Sequence, residues 1–174
     1  MAAAELVERW GLKWGRRRFN AEMAEGRLAV PGAAQLGGGR PARVAVLLPQ
    51  THMNDAGRSV GPARGALRVP LERVVVIHDE IDLPFGEVRT RVGGGLAGHN
   101  GLKSLKRELG SGDFVRVRAG VGRPDSTDPE IVSAWVLGRF RESREQVAEL
   151  VRETCEQVER LVLGEPEPAA PEQA

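Results

Sequence analysis

Arg43-Val44-Ala45-Val46-Leu47-Leu48-Pro49 and Arg73-Val74-Val75-Val76-Ile77-His78 decide the fold. Both are nearly unbroken aliphatic runs rich in β-branched residues. That is the pattern of strands covered by helices on both faces of a mostly parallel sheet. Two other segments alternate. In Glu87–Val92, Val88, Thr90 and Val92 share one face, while Glu87, Arg89 and Arg91 share the other. In Phe114–Gly120, Phe114, Arg116 and Arg118 oppose Val115, Val117 and Ala119. Period-two alternation predicts half-covered strands at a sheet edge. Helices are predicted between them. Ala2–Trp10 puts Ala3, Leu6, Val7 and Trp10 on one face, with no capping residue ahead of it. Asn54–Ala66 is helical though interrupted by glycine, and Leu102–Leu109 follows a glycine-rich loop. Asp128–Leu137 carries a proline in its first turn. Arg144–Leu163 opens on a Ser143/Gln146 capping box, shows a stripe of Val147, Leu150, Val151, Val158, Leu161 and Val162, and stops at Gly164.

The chain has 174 residues, 41% of them hydrophobic and 28% charged. This is one soluble domain, not a disordered chain. No apolar run approaches the ~18 residues of a membrane span. The single cysteine, Cys155, excludes an internal disulfide framework and a cysteine-based zinc site. Its place beside the stripe of the last helix predicts an inert core thiol. Residues 1–123 carry 20 basic and 12 acidic side chains, net +8, whereas residues 124–174 carry 5 and 12, net −7. A basic body with an acidic tail suggests a polyanionic partner, while charge alone fits a solvated surface with an acidic tail somewhat better. The domain is expected over 1–163, with a disordered acidic tail over 164–174. The start shows no basic n-region followed by an apolar core, so a cytoplasmic protein is expected.

Three polar loops follow the strands. Pro49-Gln50-Thr51-His52-Met53-Asn54 follows Leu48, and His78-Asp79-Glu80-Ile81-Asp82-Leu83-Pro84 follows Ile77. If the two strands are parallel, these loops meet on one edge, where ligands gather in α/β sheets. The third loop, Gly93-Gly94-Gly95-Leu96-Ala97-Gly98-His99-Asn100-Gly101, precedes a helix, an arrangement that favours an anion. Gly93, Gly95 and Gly98 fit G-x-G-x-x-G. The preceding strand alternates charges, however, and no acidic residue ends a strand about 20 positions on, which argues against a dinucleotide site. Arg91, Arg116 and Arg118 make a forked-donor track for a nucleic-acid backbone. His78 and Asp79 are expected on opposite faces of their strand.

Four segments together resemble bacterial peptidyl-tRNA hydrolase, in that family's order and spacing. They are Thr51-His52-Met53-Asn54, His78–Gly86, Gly93–Lys103 and Phe114–Pro124. The resemblance runs from about Ala2 to the end of the last helix. It implies a monomeric three-layer α/β/α sandwich around a twisted mixed, mostly parallel sheet. It also implies hydrolysis of the ester joining a peptide to the 3′ ribose of tRNA, with no metal or other cofactor. By the same resemblance Asp79 orients a general-base histidine, and Asn54 and Asn100 bind the substrate's 3′ end and position water. His52 stands where an aromatic is usual and lines the same pocket with Met53 and His99, while Arg91 and Arg118 hold tRNA phosphates. The family pattern also has an apolar first strand, a G-x-x-N-P-G turn and a T-R-H-N segment with the catalytic histidine. None of these occurs in the 174 residues. Met1 is therefore expected to be an internal methionine of a longer protein, and the chain by itself to be inactive or impaired. The alternatives are a non-catalytic RNA-binding relative and a nucleotide-binding enzyme that uses the glycine loop.

Overall fold

The computed structural model describes residues 1–29 and 41–164. The elements run α1 (Ala2–Arg9), β1 (Ala21–Leu28), β2 (Ala42–Pro49), a 3-10 turn at Met53–Asp55, α2 (Gly57–Leu67), a second 3-10 turn at Leu71–Arg73, β3 (Val75–Glu80), β4 (Val88–Val92), α3 (Asn100–Leu109), β5 (Val115–Gly120), α4 (Pro129–Leu137) and α5 (Arg144–Leu163). This is a mixed α/β sandwich. Strands β3, β5 and β4 lie in that order, with β3–β5 parallel and β5–β4 antiparallel, and β1 and β2 form an antiparallel pair. One apolar cluster joins Leu6 and Val7 of α1, Ala24, Val46, Val117, and Cys155 and Val158 of α5, with Val75, Ile77 and Val88 against it. The other joins Leu102, Leu105 and Leu109 of α3 to Phe114, with Val60, Val74 and Val76 packed on it. The β3–β5–β4 sheet thus has α1 and α5 on one face and α2 and α3 on the other. The edges of each strand's two faces are set by this covering.

Several sequence expectations change once partners are in place. Strand β1 was not foreseen: Ala21–Leu28 has little β propensity, and its full register with β2 makes it a strand. Strand β2 was expected to be covered on both faces, yet among its residues only Val46 is buried, at 8% exposure, and Leu48 is 36% exposed. Its hydrogen-bonded partner among the described residues is β1, not β3. The third strand runs later than expected. Residues 73–74 fall outside it, while Asp79 and Glu80, expected in a loop, still pair with Ala119 and Gly120. The helix expected from Asn54 begins as a 3-10 turn and becomes α-helical at Gly57, with Pro62 inside it.

The expectations for the last helix hold in detail. The Ser143/Gln146 capping box has both of its hydrogen bonds, and Gly164 ends α5 with φ of 73°. Cys155 is buried, and burial pushes its thiol pKa up to about 11, which keeps it a protonated core group. The acidic tail from residue 165 lies outside the described residues. Among the described residues no helix is long and apolar enough to cross a membrane.

Candidate active site

Helix α3 organises the site. His99 caps it: the imidazole Nδ1 accepts the Leu102 N–H at 3.3 Å, and Asn100 is the first helical residue. The helix start lies hard against the Met53–Asp55 turn. A Cβ built on Gly101 would stand 2.6 Å from the Met53 sulfur and 3.0 Å from His99 Cε1, so a larger residue would push the Met53 side chain aside. Deeper in, the Gly57 N–H donates to the buried Ser104 hydroxyl at 3.0 Å, which fixes α2 on α3. Met53 and Asn54 are thereby brought beside His99 and Asn100. His52, Asn54 and Asn100 are exposed, and Met53 is 56% exposed despite its apolar side chain.

Asp79 meets this cluster from the end of β3. His99 Nε2 lies 3.3 Å from Asp79 Oδ1. Because Nδ1 accepts from a backbone N–H, the ring proton sits on Nε2 and is donated to the carboxylate. That hydrogen bond, against the opposing effect of burial, holds the Asp79 pKa below the usual carboxylate range. His78 reaches the same ring from the other side, edge-on, with centroids 5.1 Å apart. Its Nδ1 lies 2.6 Å from the Asp79 carbonyl, and its Nε2 is buried without a partner among the described residues. Burial pushes the His78 pKa down, so the ring is neutral. His99 thus links two strand neighbours that were expected to diverge.

The arginines occupy the sheet face under α3. The register places Arg116 opposite Arg91, and Arg118 between His78 and Arg89. They do not form the uniform track expected from alternation. Arg116 is only 2% exposed. Its Nη1 donates to the Gly95 carbonyl at 2.9 Å, pinning the glycine loop, and its Nε and Nη2 are buried without partners among the described residues. Burial, with Arg91 and Arg118 nearby, pulls its pKa down. Arg116 is therefore a buried loop anchor, not a surface contact. Arg118 Nε donates to Glu80 at 3.0 Å, and Glu80 also accepts the Asp82 N–H at 3.2 Å. Glu80 was not singled out as a functional residue. The signal was present: it lies two residues beyond His78, on the face that carries the arginines. Arg91 is exposed and folds against the loop so closely that a Cβ on Gly94 would stand 2.4 Å from its guanidinium, where φ is also 84°. The loop leaves an antiparallel strand, not the parallel βαβ unit of a dinucleotide site. Among the described residues no group of three or more His, Cys, Asp or Glu is placed to hold a metal.

A family model described as Peptidyl-tRNA hydrolase matches residues 1–172. The chain is similar to the peptidyl-tRNA hydrolase of Geotalea daltonii, at 53% identity over 110 residues, which covers 63% of this chain and 55% of that protein. It is also similar to that of Mycobacterium avium, at 41% identity over 172 residues, covering 97% of this chain and 83% of the relative. Among solved structures, that of peptidyl-tRNA hydrolase from Acinetobacter baumannii aligns with a TM-score of 0.77 at 28% identity, over 94% of this chain and 77% of the other.

Proposed function

The chain belongs to the peptidyl-tRNA hydrolase family, and on that premise we propose that its reaction is hydrolysis of the ester joining a peptide to the 3′ ribose of tRNA. Peptide and free tRNA are released, which recycles translation products that dissociated prematurely. Water adds to the ester carbonyl, the bond to the ribose oxygen breaks, and a proton passes to the departing 3′ hydroxyl. The observation that carries this is the convergence at the start of α3, where Asp79, His99, Asn100 and the Met53–Asn54 turn meet beside the arginine-bearing sheet face. In this reading Asn54 and Asn100 hold the 3′ end and position the water, with His52, Met53 and His99 around it. Asp79 is the carboxylate that would orient the general-base imidazole and stabilise its charged form, and Arg91 and Arg118 hold phosphates. The protein acts in the cytoplasm as a monomer, without a metal or other cofactor.

The histidines limit how fast the 174-residue chain can turn over. Both His99 nitrogens are committed, one to Leu102 and one to Asp79. The remaining nitrogen of His78 is sealed from solvent. His52 is exposed, and the Asp79 carboxylate is engaged by His99. If none of these three histidines serves as the general base, turnover is lower by about 10²–10⁴-fold. The same observation favours a second reading, a non-catalytic RNA-binding relative in which Asp79 serves only to hold His99. Filter binding of tRNA, run beside hydrolysis of an N-acylated aminoacyl-tRNA, tests both. Salt-dependent binding with slow but measurable turnover supports the hydrolase. Binding with no turnover supports the relative. Absence of both overturns the function.

A further inference from the structure

The connection between α1 and β1 holds a feature the site above does not use. Phe19 and Asn20 have φ of 55° and 52°, the left-handed region that a side chain disfavours. Arg18 and Ala21 pair across them, so they are the central residues of a two-residue hairpin turn, for which Asn-Gly is the relaxed sequence. The strained turn is held in place by its partners. The Asn20 carbonyl accepts the Gln50 N–H at 2.9 Å and the buried Ser59 hydroxyl at 3.2 Å. Beside it lies a half-open surface depression of about 290 Å³, lined by Arg17, Arg18, Phe19, Asn20 and Gln50. Arg17 Nη2 donates to Gln50 Oε1 at 2.7 Å, and the Arg18 guanidinium lies 4.9 Å over the Phe19 ring. The charge here is largely uncompensated. Among the described residues, Glu25 is the one carboxylate within ion-pair reach of the Arg16–Arg18 run, 3.6 Å from Arg18, and it is shared with Arg43 at 3.6 Å. Gln50 directly precedes Thr51-His52-Met53-Asn54.

We propose that this depression is a nucleotide subsite for the single-stranded 3′ end of the RNA substrate. Arg17, oriented by Gln50, holds a phosphate through its planar fork, and the outer face of the Arg18-on-Phe19 stack receives a base. The volume lies just below the usual range of ligand sites, so the depression offers room for a single base and phosphate and no larger ligand. The strained phenylalanine then has a use, since it supplies the stacking platform that glycine could not. This inference rests on the hydrolase reading for the identity of the RNA, but its residues lie outside the Asp79–His99 cluster.

The test is fluorescence anisotropy with a short single-stranded RNA ending in CCA and, separately, with intact tRNA, over a series of salt concentrations. Wild type is compared with Arg17→Ala, Phe19→Gly and, as a control for bulk charge, Arg16→Ala. Arg17→Ala is expected to lower the log–log salt slope by about 0.7, the increment of one single-strand phosphate. Phe19→Gly, whose turn is relaxed by glycine, is expected to weaken the oligonucleotide on the order of tenfold while the thermal midpoint shows that the fold is kept. Arg16→Ala should leave both unchanged. Equal effects from Arg16→Ala and Arg17→Ala, or unchanged binding in Phe19→Gly, would overturn the subsite. Wild type that binds tRNA but not the oligonucleotide would overturn it while leaving the hydrolase reading intact. Failure to bind either RNA would sink both.

Discussion

Arg118→Ala removes one half of a nearly dry ion pair. The Glu80 side chain is 6% exposed and that of Arg118 18%, and their contact is 3.0 Å. Without Arg118 the carboxylate keeps the Asp82 N–H and the weaker attraction of Arg116. Removing one partner of a buried pair costs about 3–5 kcal/mol. The partial exposure of Arg118 and the two remaining stabilising contacts bring the expectation here to about 2–3 kcal/mol. In a domain of this size each kcal/mol moves the thermal midpoint by roughly 2–4 °C, so a fall on the order of 5–10 °C is expected. Glu80→Gln keeps an acceptor oxygen and removes the charge. The double variant should therefore be more stable than Arg118→Ala alone, because no orphaned carboxylate is left. Thermal melts of the four proteins read this directly. The tRNA salt series on Arg118→Ala must be run well below its midpoint, where loss of a duplex phosphate contact lowers the slope by about 0.9. A midpoint for Arg118→Ala within about 1 °C of wild type, or a double variant no more stable than it, would refute a built Glu80–Arg118 pair.

His78 sets a pH limit on stability. Burial lowers its pKa from the ordinary 6.5, so between that value and the lower folded one the unfolded chain binds the extra proton. Its contribution to stability is full above pH 6.5 and is lost as pH falls through that window. His78→Gln should flatten the fall in thermal midpoint on the acid side of pH 6.5, and an undiminished fall would show that another group is responsible. Asp79→Asn preserves shape and removes the charge that His99 now stabilises. Turnover should fall far more than tRNA affinity, and equal losses in kcat and binding would contradict an orienting role.

The site was legible where chemistry follows from residue type and short spacing. Asp79, Asn54, His99 and Asn100 stand out as polar groups clustered after aliphatic runs, and glycines beside His99 mark a tight approach. Arg116 and Glu80 were misjudged or passed over because burial is not a property of a residue's own segment. Alternation assigned Arg116 a polar face, but α3 and the glycine loop cover that face, and the guanidinium became an anchor for Gly95. The Phe19–Asn20 turn was invisible for a related reason. Phe19 does not favour positive φ, whereas Asn20 tolerates it, and Gln50 and Ser59, distant in the chain, hold the turn there.

What the sequence determined by itself was local and periodic. The helices α1 and α5, the capping box, the stop at Gly164, the aliphatic strands and the family all rest on spacing and side-chain type, which act within a few residues. Tertiary structure alone decided which strands pair, where β3 ends, that β1 exists, and which charges are buried. Those outcomes depend on hydrogen-bonded ladders and on faces covered by elements far away in the chain. A backbone N–H or a guanidinium takes the partner that folding places beside it, and no window of the chain contains that partner.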